Sequence, residues 1–312
     1  MKHIFLNLKR FDVPRAYGGV NSIALPSEWG SCIVKETQEA LREYAGRVEF
    51  AMYFPEAHVP GAAASLSADS PIKLGCQSVY REDTAPGGNF GAFTGERPAN
   101  AMKALGVSSV LIGHCEERKA MKGILAEAGV TGKDAAAAVN RILNKEIACA
   151  LRAGMSVLYC VGESAEEQPQ WQDVLQEQIE TGLSGYLHLP DGRTADGQEA
   201  AGEKEQEDAE TGKIQTKPQT DICIAYEPIW AIGPGKTPPD RDYISKIGAY
   251  LKKITGGLPI VYGGGLKTDN AAMLASIPEI DGGLIALTRF SGEIGFYPDE
   301  YLEIVRTYLE AC

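Results

Sequence analysis

The 312-residue sequence predicts an α/β chain folded as a (β/α)8 barrel, on three observations. Apolar, β-type runs alternate with longer stretches of helical period, the pattern of repeated βα units. Eight such runs can be counted, more than a doubly wound sheet usually holds. The first run ends in Asn7, Leu8 and Lys9, without the Gly-x-Gly-x-x-Gly turn of a dinucleotide-binding sheet.

In chain order, the expected strands are His3–Leu8, Arg47–Tyr53, Ile72–Gln77 and Ser108–Gly113, then Ser156–Val161, Asp221–Glu227, Pro259–Gly263 and Gly282–Leu287. Helical periods fall between them, as in Ser31–Ala45, Lys133–Ala153, Glu167–Tyr186 and Pro239–Lys253, and Pro298–Leu309 closes the series. The expectation is one domain over 1–312. One segment breaks the pattern: over 189–217 the apolar period disappears. Within 191–210, eight acids face only Arg193 and Lys204, so half of the chain's net charge of −12 lies there. Such a stretch buries too little apolar surface to offset its ordering entropy. It reads as an acidic insertion between the fifth helix and the sixth strand, on the barrel face away from the chemistry. It is either a solvated surface element or a partner-binding one.

Composition narrows the function. The acidic balance argues against sequence-independent binding to nucleic acid or an anionic membrane. No apolar run approaches the length of a membrane span, and the N-terminus goes straight into a strand, so a cytoplasmic protein is expected. The seven cysteines are scattered, with no Cys-x-x-Cys pair, which favours free thiols in a reducing compartment. No metal-ligand cluster is visible, and no cofactor is expected.

The chemistry is organised around 225–236. Asp221–Tyr226 reads as a strand buried on both faces, and Glu227 stands at its C-terminal end, where barrels place their chemistry. Pro228 stops regular pairing there. Ile229, Trp230, Ala231 and Ile232 are apolar although they belong to a loop, so this loop is expected to close and exclude water. Gly233 and Gly235 offer bare amides to an anion. Asn7 and Lys9 alternate with apolar neighbours, so both are placed to point into the mouth. Taken alone, that pair suits a surface role equally well. His114 follows the fourth strand and precedes a helix start. It reads either as a satisfied structural residue or as a neutral ring beside positive amides.

The run Ala225–Lys236 resembles, nearly residue for residue, the catalytic-glutamate and lid segment of the triosephosphate isomerase family. The stretches Asn7–Lys9, Gly113–Arg118, Gly91–Glu96, Cys160–Glu163 and Tyr262–Leu266 are similar to further motifs of that family. The resemblance implies a TIM barrel and interconversion of dihydroxyacetone phosphate and glyceraldehyde 3-phosphate through an enediolate. It makes Glu227 the base, His114 the electrophile, and Lys9 with Asn7 the stabilisers of the enediolate oxygen, an assignment carried over from the family. It makes Glu116 a buried supporting glutamate. It implies a homodimer in which Thr94, on the loop after Gln77, supports the partner's site. Cys160–Glu163 receives no catalytic role.

It also implies substrate phosphate at the amides of Gly233 and Gly265 and at a glycine pair after the eighth strand. Ala286 and Leu287 occupy the positions of that pair, and leucine resists a glycine's backbone geometry. Either the cup is reshaped or Arg289 supplies a guanidinium in its place; the alternative makes Arg289 a surface residue. Cys115 and Glu117 replace a serine and an arginine, so the polar network beneath the site must differ. These departures keep two alternatives open: a related aldose-ketose isomerase for another short sugar phosphate, and a barrel that binds a phosphorylated ligand without turnover.

Overall fold

The computed structural model describes residues 1–187, 221–233 and 236–312. The expected acidic insertion at 189–217, with Pro234 and Gly235 of the loop after Glu227, lies outside the described residues. Eight parallel strands close into a barrel in chain order. They are β1 (Lys2–Asn7), β2 (Val48–Phe54), β3 (Ile72–Gln77), β4 (Ser109–Ile112), β5 (Ser156–Val161), β6 (Ile222–Tyr226), β7 (Ile260–Tyr262) and β8 (Gly282–Ile285). β8 pairs back onto β1, from His3 opposite Gly282 to Leu6 opposite Ile285. The helices of the described residues are α1 (Trp29–Leu41), α2 (Val59–Ser65), α3 (Ala99–Ala104), α4 (Cys115–Glu127), α5 (Gly132–Arg152), α6 (Trp171–Gly182), α7 (Arg241–Ile254), α8 (Ala271–Ala275) and α9 (Pro298–Glu310).

The strands bury both faces, in two separate cores. Ile4, Leu6, Phe50, Met52, Ile222, Ile224 and Tyr226 join the outer core, which includes α1, α5, α7 and α9 residues. Their alternating neighbours Phe5, Ala51, Tyr53, Leu111, Leu158, Cys223, Ala225, Val261 and Leu284 fill the barrel interior. Period-two alternation is therefore present but reads as a continuous apolar run, because each side meets apolar atoms. Glycine is required where the interior is tight: a Cβ on Gly75 would lie 2.5 Å from the Tyr53 ring.

The alternation also delivers the polar groups. At the N-terminal end of the barrel, His3, Glu49 and Lys73 stand on neighbouring strands, with Glu49 within 2.7 Å of His3 Nδ1 and 2.5 Å of Lys73 Nζ. At the other end, the same parity carries Asn7, Lys9, Gln77 and Glu227 into the mouth. The long connection after β1 is held by Asp12, which accepts from Arg10 Nε and Nη2 and lies 3.1 Å from His58 Nε2.

Beneath the β3 and β4 ends the buried Glu146 carboxyl neighbours the half-buried Glu117. Glu117 accepts the Gly113 amide at 2.5 Å, and Ser78 Oγ donates to Glu146 Oε2 at 3.1 Å. Burial, and then the Glu117 charge, push the Glu146 carboxyl up to about 9 from an ordinary 4.5. A carboxyl whose folded value exceeds its unfolded one holds its proton longer when folded. Stability should therefore fall as pH rises from about 4.5 towards about 9, and be insensitive to this group below that window. Glu146→Gln copies the protonated form and keeps an acceptor for Ser78. It should stabilise by about 1–3 kcal/mol at pH 8, the scale of a badly satisfied buried polar group, and by nothing at pH 4. Thermal melts of both proteins across that range check this; a gain that did not grow with pH would exclude the carboxylate as its cause.

Candidate active site

Glu227 continues the inward series Cys223 and Ala225 one residue past β6, and is 2% exposed. Its amide donates to Val161 O at 2.8 Å, which fixes the backbone across the barrel seam. Two glycines make room for it: a Cβ on Gly162 would lie 1.8 Å from Glu227 O, and one on Gly263 would lie 2.8 Å from its Cγ. The carboxylate is held at one oxygen only. Oε2 accepts the Cys115 amide at 2.9 Å, whereas Oε1 is buried without a hydrogen-bond partner among the described residues. His114 Nε2 lies 3.2 Å from Oε1, but off the line of a hydrogen bond. Burial raises the Glu227 carboxyl above the ordinary carboxylate range, and His114 and the Cys115 amide pull against that rise.

His114 precedes α4 as its cap, with Nδ1 accepting the Glu116 amide at 3.2 Å. A ring nitrogen that accepts an amide carries no proton, so the neutral ring holds its proton on Nε2, facing Glu227. Lys9 reaches the same place from β1. Its Nζ donates to Glu116 Oε1 at 2.9 Å, its amide donates to Asn7 Oδ1 at 3.0 Å, and its φ is 40°. That left-handed backbone is costly for a lysine, and Asn7 and Gln77 hold it in place. Gln77 Nε2 donates to Lys9 O at 3.0 Å and to Tyr53 O at 3.1 Å. Glu116 is exposed, contrary to the buried position expected for it, because it lies on the outer side of the first α4 turn and meets Lys9 at the rim. Arg118 turns inward instead, donating to Gly113 O, Asn140 Oδ1, Tyr159 Oη and Cys160 O.

His114, Cys115 and Glu227 bring three donor atoms within 4.8 Å of one another. The set suits proton chemistry better than a resident cation. Nδ1 is engaged by an amide, and burial with the Glu227 charge pushes the Cys115 thiol up to about 12.

A residue of the Cys160–Glu163 motif, which received no catalytic role from the sequence, organises the loop after Glu227. Glu163 Oε1 accepts Tyr226 Oη at 2.9 Å, Trp230 Nε1 at 2.8 Å and Tyr243 Oη at 3.2 Å. One carboxylate oxygen thus ties the end of β6, the start of the loop and the first turn of α7. These partners lie 63, 67 and 80 residues away in sequence, so no local signal marks the role.

The remaining expected residues are divided. Gly233 and Gly265 adopt φ of 117° and 96°, backbone that needs glycine. Ala286 and Leu287 follow β8 half-buried, and neither has a positive φ, so this turn forms without the geometry leucine resists. The amides of Gly265, Ala286 and Leu287 donate to no backbone carbonyl among the described residues. The Arg289 guanidinium is committed elsewhere, donating Nε at 2.7 Å and an Nη to Glu300 Oε1 and stacking on Tyr297. Thr94 is exposed on the loop between β3 and α3, with Phe90 91% exposed nearby.

A closed (β/α)8 barrel with a buried carboxylate, a neutral imidazole and an ammonium gathered at its C-terminal mouth is, as a class, a barrel equipped for proton transfer at an anionic ligand. The profile of the family described as "Triosephosphate isomerase" matches residues 28–189 and 191–306. The chain belongs to the triosephosphate isomerase family. Its relatives include the triosephosphate isomerase of Chlamydia trachomatis serovar D, 33% identical over 243 residues, 74% of this chain and 70% of that one. The triosephosphate isomerase of Alkaliphilus metalliredigens is 32% identical over 269 residues, 83% of this chain and 86% of that one. Among solved structures, triosephosphate isomerase from Bartonella henselae superposes with a TM-score of 0.64 over 99% of both chains at 23% identity, a likeness of fold. The family match begins after β1, so the place of Asn7 and Lys9 rests on geometry.

Proposed function

We propose that this protein interconverts dihydroxyacetone phosphate and glyceraldehyde 3-phosphate. The observation that carries the reading is Glu227 Oε1, buried and without a hydrogen-bond partner among the described residues, 3.2 Å from His114 Nε2. A carboxylate raised by burial and left with a bare oxygen is a base in want of a proton. Substrate entering the mouth parts Glu227 from His114. Glu227 then removes a proton from the carbon beside the carbonyl, while Nε2–H of His114 and the Lys9 ammonium stabilise the enediolate oxygen. His114 Nε2 gives its proton to one oxygen and takes the proton of the other, and returning the carbon-bound proton from Glu227 to the neighbouring carbon completes the isomerisation. Asn7 positions Lys9 through its amide contact. The phosphate is held by the amides of Gly233, Gly265, Ala286 and Leu287, with Arg289 left to Glu300. Closure of the loop after Glu227, hinged where Trp230 meets Glu163, excludes water from the enediolate.

The exposed Thr94 and Phe90 loop supports a homodimer as the working form, since a side chain as apolar as Phe90 gains most from a partner surface. No helix of the described residues is long and apolar enough to cross a membrane. The replaced glycine pair at Ala286 and Leu287 favours one alternative, an aldose-ketose isomerase acting on a longer sugar phosphate. A coupled assay over triose, tetrulose and pentulose phosphates separates the two. A clear preference for a longer substrate would replace the triose reading, and no turnover of any would leave a binding barrel.

A further inference from the structure

We propose that Lys267 is a substrate-binding residue that adds a positive charge to the phosphate cup, taking the part that sequence alone suggested for Arg289. The proposal rests on the sugar phosphate reading above. Lys267 stands two residues past Gly265, and the turn between them is pinned at both ends. Its amide donates to Asn270 Oδ1 at 2.8 Å, and Asn270 Nδ2 donates to Gly265 O at 2.9 Å. The lysine stem then doubles back over the glycine: its Cε lies 3.6 Å from where a Gly265 Cβ would stand. A glycine at 265 therefore leaves space that the Lys267 side chain overlies, beside the amide assigned to phosphate.

The ammonium is held there by an aromatic ring. Lys267 Nζ lies 4.0 Å over the centroid of Phe290, on the loop after β8. This contact joins the β7 and β8 loops, the two that carry the Gly265 and the Ala286 and Leu287 amides. A cation over a ring keeps its charge and most of its donors, so it is placed without being neutralised.

The charge is also unclaimed. Lys267 is half-buried and has no carboxylate within ion-pair distance among the described residues. Two other cations at this rim are committed, Lys9 to Glu116 and Arg289 to Glu300. In a chain of net charge −12, a partly desolvated ammonium without an acid, between two sets of open amides, is matched by a dianionic phosphate group.

The test compares Lys267→Gln and Lys267→Arg with the wild type, using Lys253→Gln on the last turn of α7 as a control. Steady-state kinetics on glyceraldehyde 3-phosphate and calorimetric titration with inorganic phosphate are the readouts. Lys267→Gln should raise KM and weaken phosphate binding about 10-fold or more, as expected for a lost charged hydrogen bond. Its kcat should stay within about twofold, and Lys267→Arg should recover most of the loss. Equal phosphate affinity and KM in wild type and Lys267→Gln would overturn the proposal and leave the isomerase reading standing. A wild type that turned over no sugar phosphate would sink the isomerase reading instead. The phosphate titration alone would then still decide Lys267, with unchanged affinity refuting it.

Discussion

Glu227→Asp should turn over glyceraldehyde 3-phosphate at least about 100-fold more slowly than the parent, because one methylene less withdraws the base from the reacting carbon. The melting temperature should barely move. Among the described residues the side chain's stabilising contact is a single amide bond, from Cys115, set against the cost of a buried carboxylate oxygen without a partner there. The same burial sets the acid limb of the parent's pH profile. Catalysis needs the carboxylate, so kcat/KM should begin to fall, as pH drops, above the ordinary carboxylate range. A stopped assay from pH 4 to 9 with a melt on the same samples reads both effects. Near-normal turnover in the aspartate variant would remove Glu227 from the mechanism.

His114→Gln should lower kcat by about 10²–10⁴-fold, the usual contribution of a positioned proton donor. The amide side chain offers an N–H but cannot pass a proton on, so the loss should fall on kcat and leave KM nearly unchanged. Folding should survive, because the glutamine oxygen can take the Glu116 amide that Nδ1 now accepts. An equal loss in a variant whose α4 had frayed would mean little, so circular dichroism accompanies the kinetics. A variant with intact helix content and unchanged kcat would restore His114 to a purely structural role.

The barrel was legible because burial on both faces writes strands as unbroken apolar runs, and eight of them leave few other closures. Strand ends were less legible. The apolar Ala286 and Leu287 extend the last run on paper, but β8 stops at Ile285, where pairing with Leu6 ends and the chain turns out into the loop that meets Glu300. The short helices Val59–Ser65, Ala99–Ala104 and Ala271–Ala275 hold too few turns to show a period. At the site, Asn7, Lys9 and Glu227 could be placed because inward parity continues past the strand ends. Glu163 and Lys267 could not. Their partners come from other loops, and Glu116 was misplaced because a helix's first turn can face either the core or the rim.

Lys9 carries one further consequence. Its left-handed backbone, at φ 40°, is a conformation that glycine or asparagine adopts with little cost. A library of this protein screened for heat resistance alone should therefore drift to glycine or asparagine at position 9. The same library screened for growth on its reaction should return lysine. On the role proposed for Lys9, position 9 should work as an indicator of what a lineage has been selected for: a descendant that relaxes this residue should keep its barrel and lose the proposed chemistry.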